Sequence, residues 1–275
     1  MKHSGIYVWY HRLMEVPSIS DFMPEPFLFV GTIFELNRLQ LIRIIVTLFI
    51  IVFFSLVAKK SKIIPGRLQS AVEIVFEFLR EQIVYQQIPS PYGKKYIPMI
   101  TTIFCAIFFF NLAGIVPGFN LAASAGIGIP LLFALWVFVQ YWKAGIIKHG
   151  FWGFLRDELF PKGVPPFVYP LIAPVELAQL LVVKPFSLTI RLLANMISGH
   201  MLLALCFLAT QFFIFQAGFP FILFSPITFV GAIFFTLFEI FVAALQAYIF
   251  ALLAAAYIGL SYKEETSVSS DEVRA

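Results

Sequence analysis

Residues 171 to 215 and 221 to 261 are two predominantly apolar runs, each more than 40 residues long. As single helices rising ~1.5 Å per residue they would reach roughly 60 Å, about twice the ~30 Å hydrocarbon thickness of a bilayer. Each must therefore tilt steeply or fold back on itself. Steep tilt is favoured: no Gly/Pro cluster interrupts either run, Gly199 alone is a weak breaker, and Pro185 can kink a helix without ending it. Composition carries this over to the whole chain. With 60% hydrophobic and 12% charged residues, it is far more apolar than a soluble domain, which averages about 45 to 50% apolar and about 25% charged.

Three shorter apolar segments precede the long ones. Residues 41 to 57 form a first span, with Arg43 near its start able to snorkel toward an interface. A second covers 97 to 117, opened by Pro98 in a first-turn position and closed by Pro117-Gly118, and a third covers 121 to 142. Between the first two, residues 66 to 88 follow a different pattern. Val72, Val75, Leu79 and Ile83 recur at helical steps while Glu73, Glu77, Arg80 and Glu81 gather on the opposite side, as in a helix lying on a membrane or against a partner. The expected fold is an all-α polytopic membrane protein with about five membrane-embedded hydrophobic helices and one amphipathic interfacial helix. One membrane domain, 41 to 262, is flanked by an N-terminal tail, 1 to 40, and a polar C-terminal tail, 263 to 275. The N-terminal tail holds no signal-peptide core and is expected to be retained at a membrane surface, with His3 and His11 solvated.

Basic residues orient the chain. Thirteen of the 19 Lys and Arg fall in segments 58 to 97, 143 to 170 and 262 to 275, while the N-terminal tail carries Lys2, Arg12 and Arg38 and the two remaining turns carry none. This places the N-terminus on the outer side and the C-terminus on the inner side of the membrane. The same clustering beside spans removes nucleic acid as a reading of the +4 net charge. Cys105 and Cys206 sit singly in apolar runs, without metal-ligand spacing, and no cofactor motif is present; Gly126-Ile127-Gly128 lacks the third glycine of a nucleotide loop.

Against this background Arg191 stands out. A guanidinium cannot shed its proton at an accessible pH, so at membrane depth its charge must be solvated, paired or used, at a cost of roughly 2.5 to 3.5 kcal/mol on insertion scales. His200 lies nine residues further along, about 13 Å nearer the outside and on the opposite helix face. In the last helix Glu239 and Gln246 are seven residues apart and share a face, Glu239 about 10 Å further out. If Gln246 is level with Arg191, Glu239 comes level with His200, and the two form either a proton relay reached from outside or a structural hydrogen-bonded pair. Asn195 shares Arg191's face one turn further out. Glu176 and Gln179, fifteen and twelve residues before Arg191, fall near the inner surface. Asn195 and Gln246 are also suited to ordinary helix packing, and Glu176 to an interfacial charge.

The run Lys184-Pro185-Phe186-Ser187-Leu188-Thr189-Ile190-Arg191-Leu192-Leu193-Ala194-Asn195-Met196-Ile197-Ser198-Gly199-His200, together with residues 239 to 257, resembles the two signature helices of subunit a of the F-type ATP synthase. The likeness extends over most of residues 35 to 262, through Pro65-Gly66 and the stretch from Asn111 to Pro117. It implies a stator subunit with no nucleotide site and no catalysis of its own, facing a ring of c subunits beside b-type peripheral stalk subunits. Two offset half-channels would then carry protons to and from the ring carboxylates. Arg191 would engage the ionised ring carboxylate and bar a proton short circuit. His200 and Glu239 would line the outer half-channel, Gln246 and Asn195 would help place Arg191, and Glu176 would sit toward the inner exit. Some relatives exchange the acid and the histidine between the positions of His200 and Glu239, and some carry an aspartate where this chain has Gly114. Among versions of the family, the actinobacterial ones look most similar. The choice between H+ and Na+ belongs largely to the ring.

Other classes fit less well. A secondary ion-coupled transporter, the alternative, should show repeated halves, and 41 to 142 does not resemble 171 to 261. An intramembrane hydrolase should show HExxH, GxSxG or paired aspartates, and none occurs.

Overall fold

The computed structural model describes residues 26–28, 36–116, 122–124, 126–160, 166–216 and 218–262. His3, His11, Pro117-Gly118 and the C-terminal tail from 263 onward fall outside them. The described chain is almost wholly helical. Its strands lie in the N-terminal tail, where β1 (Pro26–Leu28) pairs antiparallel with β2 (Leu36–Asn37).

The first helix, α1 (Arg38–Lys59), starts on a reciprocal cap. The Gln40 backbone N–H donates to Asn37 Oδ1 at 2.8 Å, and the Asn37 N–H donates to Gln40 Oε1 at 3.2 Å, so two N-terminal donors are satisfied at once. Twenty-two residues give α1 about 33 Å of length, enough to cross a bilayer. The next helix, α2 (Arg67–Phe78), runs without a break into a π-helical segment, Leu79–Val84, and a last turn, Tyr85–Gln87. Its expected apolar stripe is buried only in its second half. Leu79 and Ile83 are fully buried, whereas no residue of Arg67–Phe78 is.

Helix α3 (Gly93–Leu112) begins four residues before the expected position, so Pro98 lies inside it rather than in its first turn. The third span needs a larger correction. Helix α4 runs Gly128–Leu159, well past residue 142, and takes in much of the basic segment 143 to 170 that follows the expected span. Its axis breaks at Gly150, where φ 72 and ψ 165 are open to glycine and strained for other residues. The chain doubles back there. Phe154 lies on Gly145, where a Cβ would collide with the ring, and packs edge-on against Tyr141 and Trp142 at 5.4 and 5.5 Å between ring centroids.

The first overlong run is continuous, as its lack of breakers implies. Helix α5 (Tyr169–Ala178) passes through a π-helical segment, Gln179–Val183, into α6 (Lys184–Phe215). Pro185 gives the widening a cause: it has no N–H to donate to the carbonyl one turn back, and the Lys184 N–H instead bonds Gln179 five residues away. The second long run forms α7 (Ser225–Leu260), 36 residues, after a 3-10 turn at Phe221–Phe224. Threonines within these helices spend their hydroxyls on their own turns, Thr189 on Pro185, Thr210 on Cys206 and Thr236 on Ala232. Among the described residues five helices are long and apolar enough to cross a membrane, and their outward faces are crowded with exposed Leu, Ile and Phe.

The chain divides into two compact units that cut α1 after Thr47, α3 after Phe108, α6 after Leu192 and α7 after Ala244. One unit, 1–47, 109–126 and 193–244, holds His200 and Glu239. The other, 48–108, 127–192 and 245–275, holds Arg191, Gln246 and Glu176.

Candidate functional site

In the first unit, α6 and α7 bring two titratable side chains together. His200 Nδ1 lies 3.1 Å from Glu239 Oε1, and both side chains are about 6% exposed. Glycines make the room. At Gly114, just past the end of α3, a Cβ would collide with His200 Nε2, far inside van der Waals contact distance, and at Gly199 a Cβ would meet Glu239 Oε1 at 3.2 Å. Thus the imidazole and the carboxylate are held between α6, α7 and the turn after α3, on surfaces that glycine alone leaves open.

The same unit contains further polar groups besides this pair. Arg43, expected to snorkel, instead turns inward: its Nε donates to the Ala123 carbonyl at 2.8 Å, and Gly126 leaves space for its guanidinium. A carbonyl in a non-helical turn has no helical partner, and a nearby cation satisfies it. Ser124 Oγ donates to Asn111 Oδ1 at 2.5 Å, with both residues fully buried. Asn195 is half-buried, and its backbone carbonyl accepts from Ser198 Oγ at 3.2 Å.

In the second unit, Arg191 is exposed near the middle of the α5–α6 run, with apolar exposed neighbours such as Phe186 and Ile190. Tyr257 on α7 is within electrostatic range of its charge. Gln246 is buried at 2% exposure. Arg191 is therefore offered outward while Gln246 faces the interior of the unit. Glu176 is half-buried on α5 and acts electrostatically on Tyr141.

A cluster at the root of α6 has no counterpart in the sequence-based site. Lys184 Nζ is ion-paired with Glu158, donates to Tyr141 Oη at 3.2 Å, and lies 4.8 Å from the centre of the Tyr141 ring. Beside it Tyr141, Lys184, Leu188 and Tyr257 enclose a space of about 10 Å³, close to what one water occupies. The end of α7 is tied down nearby. Tyr262 stacks on Tyr92 at 4.4 Å, shares a 3.1 Å hydrogen bond with Tyr96, and gives its carbonyl to Lys148 Nζ at 2.9 Å. Only the Lys184 position carried a sequence signal, as the first residue of the arginine motif; Tyr141 lies on the first arm of α4, and Glu158 reaches Lys184 through the fold-back at Gly150.

Among the described residues no group of three or more His, Cys, Asp or Glu is placed to hold a metal ion. Chemically, the arrangement offers an outward-facing permanent cation on one helix surface, and on the same helix a buried imidazole paired with a carboxylate. Such groups move or hold protons.

Comparison with known proteins points the same way. Residues 40–259 match the family model described as ATP synthase A chain. The chain is 37% identical over 245 residues to "ATP synthase subunit a" of Rhodococcus erythropolis, covering 89% of each chain. It is 32% identical to the subunit of the same name from Streptomyces lividans, over 81% of this chain and 78% of that one, and 40% identical to that of Magnetococcus marinus over 72% of each.

Proposed function

Since the chain belongs to the ATP synthase A chain family, we propose that it acts as the proton-conducting stator of a rotary F-type ATP synthase, passing protons through two offset half-channels to a ring of c subunits. The family places it in the membrane part of the complex as a non-catalytic, multi-pass subunit, and the five apolar helices fit that place. Its own contribution to the chemistry is electrostatic and protonic.

The observation that carries the proposal is the pairing of His200 with Glu239 at 3.1 Å, buried, on a helix that presents Arg191 outward nine residues earlier. The pair supplies two adjacent groups able to exchange a proton, and so serves as the relay of the outer half-channel. Arg191 is exposed on a membrane-spanning helix, where a charge is costly unless a partner answers it. A ring carboxylate answers it: a fixed cation lowers the free energy of the ionised acid, helping its proton leave. Because the guanidinium cannot release its proton and pass it on, it also separates the two half-channels. Asn195, one turn after Arg191 on α6, and Gln246 on α7 help set its orientation. Glu176, with Tyr141 beside it, lies toward the inner exit. The N-terminus is outside and the C-terminus inside, as the basic residues direct. With 36 residues and about 54 Å of length, α7 crosses the bilayer at a steep tilt. The ring and b-type stalk subunits are its partners in the bilayer.

The relay is tested by exchanging its members. If His200 and Glu239 act as one proton-handling pair, the double variant His200→Glu/Glu239→His retains much more ATP-driven proton pumping than either single alanine variant. Equal loss in all three, with assembly intact, means a packing role.

A further inference from the structure

Where α1 ends and α2 begins, the chain encloses an open cavity of about 500 Å³ that the proton path does not use. That volume lies within the roughly 300 to 1,000 Å³ usual for small-ligand sites. One wall is apolar, made by Phe53, Leu56 and Val57 of α1 and Leu68 of α2. The rim is cationic, with Lys60, Lys62 and Arg67, and no acidic side chain lines the space. We propose that this cavity binds a phospholipid with an anionic headgroup, its phosphate held by the three cations and its glycerol and upper acyl chains laid along α1.

The cavity is shaped by fixed contacts. Gln69 closes the connecting loop, donating from Nε2 to the Lys62 carbonyl and accepting the Lys62 N–H at Oε1, each at 3.0 Å. Phe54 of α1 stacks on Phe76 of α2 at 5.8 Å, setting the angle between the helices. The rim is also the start of α2: Gly66 is its N-cap, extended and without a side-chain hydrogen bond, so the first N–H groups of the helix remain for an anion. A Cβ at Gly66 would meet nothing within 4 Å. At the loop's tip Ile63 and Ile64 are almost fully exposed, a pair of apolar side chains suited to the acyl boundary of a membrane.

Phosphate is the shared chemistry of a lipid headgroup and of the free ion, and the apolar wall favours the lipid. A free ion gains nothing from Phe53, Leu56 or Val57. A phosphodiester carrying acyl chains uses both halves of the site, and each basic residue near an anionic surface contributes about a fivefold gain in binding.

The test is native mass spectrometry of the assembled complex, delipidated and then offered phosphatidylglycerol, phosphatidylcholine or inorganic phosphate. The intact complex should retain phosphatidylglycerol that the Lys60→Gln/Lys62→Gln/Arg67→Gln variant loses. Gly66→Leu places a bulky apolar side chain at the cationic rim without changing charge and should weaken retention of the same lipid. Lys59→Gln, adjacent in sequence but outside the cavity, should keep it. Equal phosphatidylglycerol retention in the intact complex and in both cavity variants would overturn the proposal, as would equal retention of phosphatidylcholine or displacement of the lipid by inorganic phosphate. A protein segment covering the cavity in the complex would give the first of these results.

Discussion

At the scale of single residues, the site depends on absences as much as on its charged groups. Gly114 is the clearest case, because the space its missing side chain leaves is filled by the His200 imidazole. In Gly114→Ala the new methyl collides with Nε2 and also crowds Ala122 Cβ at 3.0 Å. The ring must swing off Glu239, and overpacking of this kind costs about 1 to 3 kcal/mol. The expected outcome is an assembled complex with strongly reduced ATP-driven pumping, read in inverted vesicles; unchanged pumping would mean that the His200–Glu239 contact is not needed. Residue identities made much of this legible in the chain. Arg191, His200 and Glu239 are ionisable groups inside apolar sequence, and such residues draw attention by their cost alone. Depth counting along two helices also put His200 and Glu239 at one level, and they meet at 3.1 Å. Arg43, Asn111 and Ser124 were less legible, because a lone polar residue near a span end looks the same whether it faces water, headgroups or a carbonyl such as that of Ala123.

At the scale of elements, the bend in α4 is the feature that most changes what the chain can assemble. Gly150 sits at φ 72 and ψ 165, a conformation that costs a residue with a side chain about 1 to 3 kcal/mol. Only through this bend does Glu158 return to Lys184 and Phe154 to Tyr141. Gly150→Ala should therefore lower the thermal midpoint of the detergent-solubilised subunit and loosen the segment after residue 150, seen as faster hydrogen exchange in 151–159. An unshifted midpoint with unchanged exchange would remove the bend from the account. Hydropathy stopped the third span at residue 142 because Lys143, Lys148 and Arg156 follow, yet helix geometry continues wherever side chains find partners, and Lys148 finds the Tyr262 carbonyl. The π-helical segments were equally hidden. Pro185 announced a disturbance, but periodicity could not tell a kink from a widened turn that keeps the helix running. Length was the stronger signal: runs of more than 40 apolar residues without breakers became continuous helices.

At the scale of the whole molecule, the account joins orientation, partner and barrier. Orientation rests on thirteen of 19 basic residues lying in three connections. A membrane-impermeant thiol reagent applied from outside should label cysteines placed at Asn120 and Gly218 and leave those at Lys60 and Lys263 untouched; labelling of Lys263 from outside would invert both half-channels. The central claim is that Arg191 serves both as partner to the ring carboxylate and as the wall between the half-channels, and these two roles respond differently to substitution. Arg191→Lys keeps a cation but loses the planar guanidinium and can deprotonate when desolvated, so coupling should fail there as well. The decisive comparison is Arg191→Ala against the unaltered complex, with passive proton flux and ATP-driven pumping measured in vesicles holding equal amounts of assembled complex. The account predicts that pumping is abolished while passive flux is maintained or increased; normal coupled pumping in Arg191→Ala would contradict it.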